Sequence, residues 1–185
     1  MTLTRRSAVR PLVALATVLL AGAVTGCSAS PEPISYQPSY PSHDDVAALM
    51  EDSTSVFVGV VTDSQGEWID LSDAPDSQML YTVYSVQVAG GIVGDVQAGS
   101  TGEVRQLGGT VGDQTAVASG AAALTDGNAY VMFVQEMPDG ALAFPYPAES
   151  VFDVDKQGTV TAPAANPLGA DGAAQVAAML RGTGG

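Results

Sequence analysis

The sequence is poor in the side chains that carry most enzyme chemistry: among 185 residues there is one cysteine, one histidine, one lysine and one tryptophan. A single cysteine excludes any disulfide within the chain, so the fold must rest on its core alone. One histidine and one cysteine cannot supply the ligands of a protein zinc site. Nucleophilic catalysis of the Ser-His-acid or Cys-His kind needs a buried, oriented imidazole. His43 stands where a proline-rich stretch meets a helix start, and it reads as a solvent-exposed helix-start residue. Lys156 follows Asp155 rather than a glycine-rich loop, which excludes a Walker-type phosphate loop, and Gly90, Gly91 and Gly94 lack the dinucleotide-binding spacing. No cofactor is expected.

Positive charge is the other scarcity. Six Lys and Arg stand against 20 Asp and Glu; Arg5, Arg6 and Arg10 precede position 27, whereas every acid follows it. The stretch from Cys27 onward therefore keeps only Arg105, Lys156 and Arg181 against 20 acids, a formal charge of −17. Such a surface repels phosphate backbones, which bind by displacing counterions with Lys and Arg, and nucleic acid is excluded as a partner. Acidic excess also keeps a protein soluble and discourages self-association.

The three arginines open a positive region, and Pro11 to Val24 follows as an apolar run of 14 residues. A membrane-spanning helix needs roughly 20 apolar residues, so this run fits the hydrophobic part of an export signal. It ends in Val24-Thr25-Gly26-Cys27, which resembles the lipobox of bacterial lipoproteins. The resemblance implies cleavage after residue 26 and a diacylglyceryl group on the Cys27 sulfur, which holds the protein by palmitate-type chains on the extracytoplasmic face of the cell membrane. Two acyl chains suffice for stable anchoring where one is marginal. Arg5-Arg6 is loosely similar to a twin-arginine export motif, with Ala8 where that motif carries a bulky apolar residue, so the general secretory and twin-arginine routes both stay open.

Residues 27–42, with prolines at 31, 33, 38 and 41, read as an extended spacer that holds a domain off the bilayer. Ser42 is the expected N-cap of a short helix with Asp44 and Asp45 in its first turn and Val46, Leu49 and Met50 on one face. Strands are expected at 55–62, 79–88, 102–107, 128–135, 141–144, 150–154 and 159–162, with hairpin turns at Asp139-Gly140 and Asp155 to Gly158. Three stretches read as loops: 63–78 around Trp68, 89–101, and the Gly/Ala-rich 108–127. Trp68 serves either as an exposed binding aromatic or as a pin for its loop. Residues 171–180 suggest a brief helix in a tail spanning 163–185. The fold class is thus mainly β: a small antiparallel OB-like barrel of five to six strands over residues 43–162, with one N-terminal helix and a further helix in the tail.

The element order resembles the OB-fold domains of the netrin-module and metalloproteinase-inhibitor (TIMP) type. The residues that carry this are Asp52 to Val61 after a helix, Tyr81 to Val88, Gly94-Asp95 leading to Gly102-Glu103-Val104, Leu124 to Val134, and Phe152-Asp153-Val154 before a glycine turn. In TIMP-type inhibitors a free N-terminal Cys chelates the protease zinc. That activity does not transfer, because the lipobox implies a lipidated Cys27 and the supporting disulfides are absent. The resemblance speaks to fold.

Asp153, Asp155, Gln157 and Gly158 match the first, third, fifth and sixth places of a calcium loop, but Ala164 stands where a bidentate Glu is needed, so a hairpin turn is the better reading. The acids name no pair for carboxylate catalysis. The leading functional expectation is a non-enzymatic binding or structural module whose partner is a protein or envelope component, presenting an apolar patch around Trp68, Tyr84 or Tyr146. A small-ligand or lipid carrier using the barrel interior is the alternative, and a carboxylate-based hydrolase the third. The intact mass of purified protein beginning at residue 27 is expected to exceed that of the polypeptide by the acyl groups. An unmodified thiol, or a different first residue, would overturn the lipoprotein reading.

Overall fold

The computed structural model describes residues 31–71 and 77–183. In chain order the elements are β1 (Ile34–Tyr36), α1 (Val46–Glu51), β2 (Ser55–Asp70), β3 (Gln78–Val93), β4 (Thr101–Leu107), β5 (Gly109–Val111), β6 (Gln114–Ala118), β7 (Ala129–Glu136), β8 (Leu142–Ala143), β9 (Val151–Val154), β10 (Val160–Thr161) and α2 (Gly169–Thr183). The architecture is mainly β, as expected, but with ten strands among the described residues in place of five or six. No helix among them is long and apolar enough to cross a membrane.

Seven strands form one sheet in the order β10-β9-β7-β2-β3-β4-β8, and β8 also pairs with β7. All of these pairs are antiparallel except β4 with β8. The long strands β2 and β3 are the spine. β-Branched residues from Val56 to Thr62 favour the extended backbone. Register shifts at Val56/Phe57, Val58/Gly59 and Val61/Asp63 bend β2, so that its first half pairs with β7 while its second half runs on beside β3 alone.

Successive side chains on a strand point to opposite faces, and here both faces are covered. One face buries Phe57, Val61, Tyr84, Val86, Val104, Met132 and Val134. The other buries Val56, Val131, Phe133 and Phe152 under α1 and α2, through Val46 and Leu49 of the first helix and Ala173 and Val176 of the second. The expected tail is therefore part of the domain core. A smaller cluster of Tyr81, Leu107 and Ala118 lies where a second sheet, ordered β1-β6-β5, folds against β3 and β4.

The differences from expectation have local causes. Residues 63–70 read as a loop because polar side chains replace the apolar run, yet they continue β2 as half of a long ribbon with β3, placing Trp68 opposite Leu80. Residues 89–93 extend β3 through two glycines that pair with Phe57 and Val58. The Gly/Ala-rich 108–127 contains the β5–β6 hairpin, whose turn uses Gly112 at φ +61°. In the spacer, β1 pairs in parallel with β6. The N-cap of α1 is Asp45, which accepts from the Ala48 N–H at 2.9 Å, and no acid lies in the first helical turn. The hairpins at Asp139-Gly140 and Asp155 to Gly158 form as expected, with both glycines at positive φ.

Gly66 marks the tightest approach between the two sheets: a Cβ there would fall on the carbonyl oxygen of Thr110 and 2.8 Å from its carbon. Gly66→Ala is expected to cost about 1–3 kcal/mol by forcing backbone apart, read as a lower urea midpoint at unchanged slope. Gly90→Ala, where a Cβ meets nothing within 4 Å, should leave the midpoint nearly in place.

Candidate binding site at the docked amino-terminal segment

The described residues around His43 bring together groups that are far apart in sequence. Its imidazole side chain is 6% exposed, not solvated as the sequence suggested. Nδ1 lies 2.6 Å from Oε2 of Glu149, and Nε2 lies 3.1 Å from Oδ2 of Asp52. The His43 backbone N–H also donates to Glu149, at 3.3 Å. Burial disfavours the charged ring, but the hydrogen bonds and negative charges of Glu149 and Asp52 outweigh it, and the pKa lies above the ordinary 6.5. The hydrogen bonds from His43 and Tyr146 hold the Asp52 carboxyl below the usual range.

Each partner is positioned by its own element. Asp52 is the C-cap of α1, and its N–H bonds back into the helix. Glu149 sits in the turn before β9, where the N–H groups of Glu149 and Ser150 both donate to Tyr146 O at 2.9 Å. Asn166 ties that turn down by donating to the Glu149 and Val151 carbonyls. Tyr146 donates its hydroxyl to Asp52 at 3.1 Å and stands edge-on to the His43 ring, with centroids 4.5 Å apart. Tyr40 in turn meets Tyr146 edge-on at 6.0 Å.

Upstream, the same segment is held by β1. The Tyr36 hydroxyl accepts from the Leu80 N–H at 3.1 Å, and the Tyr36 carbonyl accepts from the Ser119 N–H at 3.1 Å. Between these two attachments the chain closes one wall of a cavity of about 310 Å³, lined by Tyr40 and Pro41 from the segment and by Tyr81, Met137, Phe144 and Tyr146 from the domain. Burial pushes the phenols of Tyr40, Tyr81 and Tyr146 above their ordinary value, so they remain neutral hydrogen-bonding groups through the physiological range. Tyr40 at the rim is 42% exposed. Apolar ring faces with hydroxyl tips form a surface suited to binding.

As chemistry, the histidine cluster is a clamp. Both ring nitrogens are engaged by carboxylates, which leaves neither free to take a proton from a nucleophile. Asp52 and Glu149 approach from opposite nitrogens, so the three groups do not converge on one ion.

Of the side chains named from sequence as interaction candidates, only Tyr146 belongs to this site. Tyr84 is 5% exposed and packs in the core of the sheet. Trp68 is half-buried in the β2–β3 ribbon, opposite Leu80. Cys27 lies outside the described residues. The calcium-like run is a turn, in which Asp155 Oδ1 accepts the Gln157 and Thr159 N–H groups at 2.9 and 2.7 Å. Sequence reasoning missed His43, Asp52 and Glu149, since their spacing carries no motif; the one available signal was that the only imidazole abuts a helix start. No family model matches the chain, and no curated protein matches it.

His43 gains charge-dependent partners on folding, so its contribution is complete below the unfolded pKa near 6.5 and is lost as pH rises through the higher folded value. Urea midpoints are expected to fall across that window for the wild type and to stay flat there for His43→Ala. The substitution itself should cost about 3 kcal/mol at pH 6, because it strands the buried Glu149 carboxylate.

Proposed function

We propose that this chain is a lipid-anchored extracytoplasmic binding module without catalytic activity, and that it recognises a protein or envelope component through the tyrosine-lined cavity beside its membrane tether. The observation that carries this reading is that the cavity is built jointly: Tyr40 and Pro41 come from the segment leading to Cys27, and the remaining wall comes from the domain. A ligand held there touches the docked segment and the domain at once. The lipobox-like Val24 to Cys27 supports the anchor, and the scarcity of cations supports a partner other than nucleic acid.

The domain itself we read as OB-like. Pairings run β2-β3-β4-β8-β7 and return to β2, with β4–β8 the one parallel pair, which is the connectivity expected of a five-stranded OB barrel. The buried side chains of Phe57, Tyr84, Met132, Val134 and Phe144 occupy the inner face of that ring and weigh against a carrier that uses the interior. The commitment of Asp52 and Glu149 to His43 weighs against a carboxylate hydrolase.

A photo-crosslinking residue placed at the exposed Gln135, which lines the cavity, tests the reading in the native envelope. The tethered protein should trap a discrete neighbour, and Tyr40→Ala should reduce that product at least about fivefold while the urea midpoint stays within reach of the wild type. A product indifferent to Tyr40→Ala, or none at all, would sink it.

A further inference from the structure

The tyrosine-lined cavity has walls of one chemical kind. Tyr40, Tyr81, Phe144 and Tyr146 supply four aromatic rings, and among the described residues that line it there is no Asp, Glu, Lys or Arg. The rings of Tyr40 and Tyr146 stand 6.0 Å apart at 80°, so two walls meet nearly at a right angle. At about 310 Å³ the space lies at the small end of ligand pockets, and it suits one side chain rather than a whole segment. Tyr40, Pro41 and Gln135 are exposed and open it to solvent.

Charge decides what enters. The face of an aromatic ring is the negative part of its quadrupole and attracts a cation within about 6 Å. The surroundings add to that attraction. Tyr146 donates its hydroxyl to Asp52, which pushes electron density into the ring. Beside Tyr146, Asp52 and Glu149 face a single imidazole, so the clamp stays net negative even when His43 is protonated. Arg105 pairs on the β4–β8 ladder with Ala143 of the cavity wall, but its guanidinium is tied to Asp139 and opposes no second cation. From Cys27 onward 20 acids stand against three Lys and Arg, a field that draws basic partners and repels acidic ones, a second copy of the chain included.

The kind of cation follows from what the walls lack. A lysine ammonium is compact and strongly hydrated, and with no carboxylate in the lining it would shed water without gaining a charged partner. A guanidinium is planar, more weakly hydrated, and stacks on aromatic faces. Its N–H groups lie in the plane and suit acceptors of the kind the lining carries, tyrosine hydroxyls and the Gln135 amide.

On the reading of this cavity as the binding site, we propose that its occupant is an arginine side chain of a partner protein, seated in the corner between Tyr40 and Tyr146, and that the partner's contact face is basic. The two features divide the work: the acidic surface steers the encounter, and the aromatic corner selects arginine.

The test compares three end-blocked pentapeptides that differ only in a central arginine, lysine or citrulline, the last having the shape of arginine without its charge. They are titrated onto the mature lipidated protein in an uncharged detergent, with the isotope-labelled methyl group of Met137, which lines the cavity, as the NMR reporter. The arginine peptide should shift the Met137 signal and bind at least about fivefold more tightly than the other two. Tyr40→Leu should abolish that preference and Tyr40→Phe should keep it, with both urea midpoints close to the wild type. Citrulline binding as tightly as arginine would mean that shape is recognised instead of charge, and it overturns the proposal. A silent Met137 signal with all three peptides overturns it too, as does a preference that survives Tyr40→Leu. The arginine peptide should also suppress the product trapped from Gln135 in the native envelope. A Tyr40-dependent product that this peptide leaves untouched sinks the arginine and spares the cavity, whereas loss of the product and of peptide binding together sinks both.

Discussion

A single buried imidazole, gripped by a carboxylate on each ring nitrogen, decides how the amino-terminal segment relates to the domain. Glu149 is as inaccessible as His43 itself, so neither is satisfied unless the other is in place. A buried pair of this kind is costly to break because removing one member leaves the other charged and dry. Asp52 adds a second hold from the end of α1, and Tyr146 caps the ring while bonding to Asp52. Three separated stretches, at 40–43, 52 and 146–149, are thereby fixed in one arrangement, and the cavity lined by Tyr40 and Tyr146 is its by-product.

The clamp and β1 together change what the proline-rich stretch is for. As a free spacer from Cys27 to Ser42 it would place the domain a few tens of ångströms from the bilayer. With pairing beginning at Ile34, only six residues separate Cys27 from the folded body. At about 3.3–3.6 Å per extended residue, the reach on the lipid-anchored reading is of order 20–25 Å. On that same reading a tether so short restricts which faces of the domain turn toward the membrane, and an acidic surface is repelled by anionic headgroups. Docking residues 34–43 on the domain therefore exchanges, on the proposed reading, reach for orientation.

How much of this was legible in the sequence follows from how locally each feature is encoded. The strands from Val56, Tyr81 and Tyr130 announce themselves through β-branched and aromatic runs, and Asp139-Gly140 and Asp155 to Gly158 through turn chemistry. The second half of β2 does not: Asp63 to Asp70 is polar, and it is a strand because β3 lies beside it. The β5–β6 hairpin was hidden by its small residues, although Gly112-Asp113 is a turn signal in its own right. Tyr81 is buried against Leu107 and Ala118 with Tyr36 packed on the same cluster, a covering that no local pattern encodes. Aromatic candidates were chosen by type, but exposure is a tertiary property: Tyr84 went to the core, and Tyr146 to the site, for reasons no spacing records.

The histidine was misjudged for a related reason. A lone imidazole beside a helix start has every local feature of a solvated residue, and its burial depends on Glu149, 106 positions away. The same scarcity that made the sequence look chemically mute is what makes the clamp specific. With one histidine and a single ion-paired arginine among the described residues, an acidic chain has very few ways to neutralise a buried carboxylate, and Glu149 takes the only imidazole available. The remaining cations, Lys156 and Arg181, are left exposed on the surface. Scarcity of positive charge thus distributes roles: one cation closes a surface pair, the titratable one holds the docked segment, and the last two make no ion pair among the described residues.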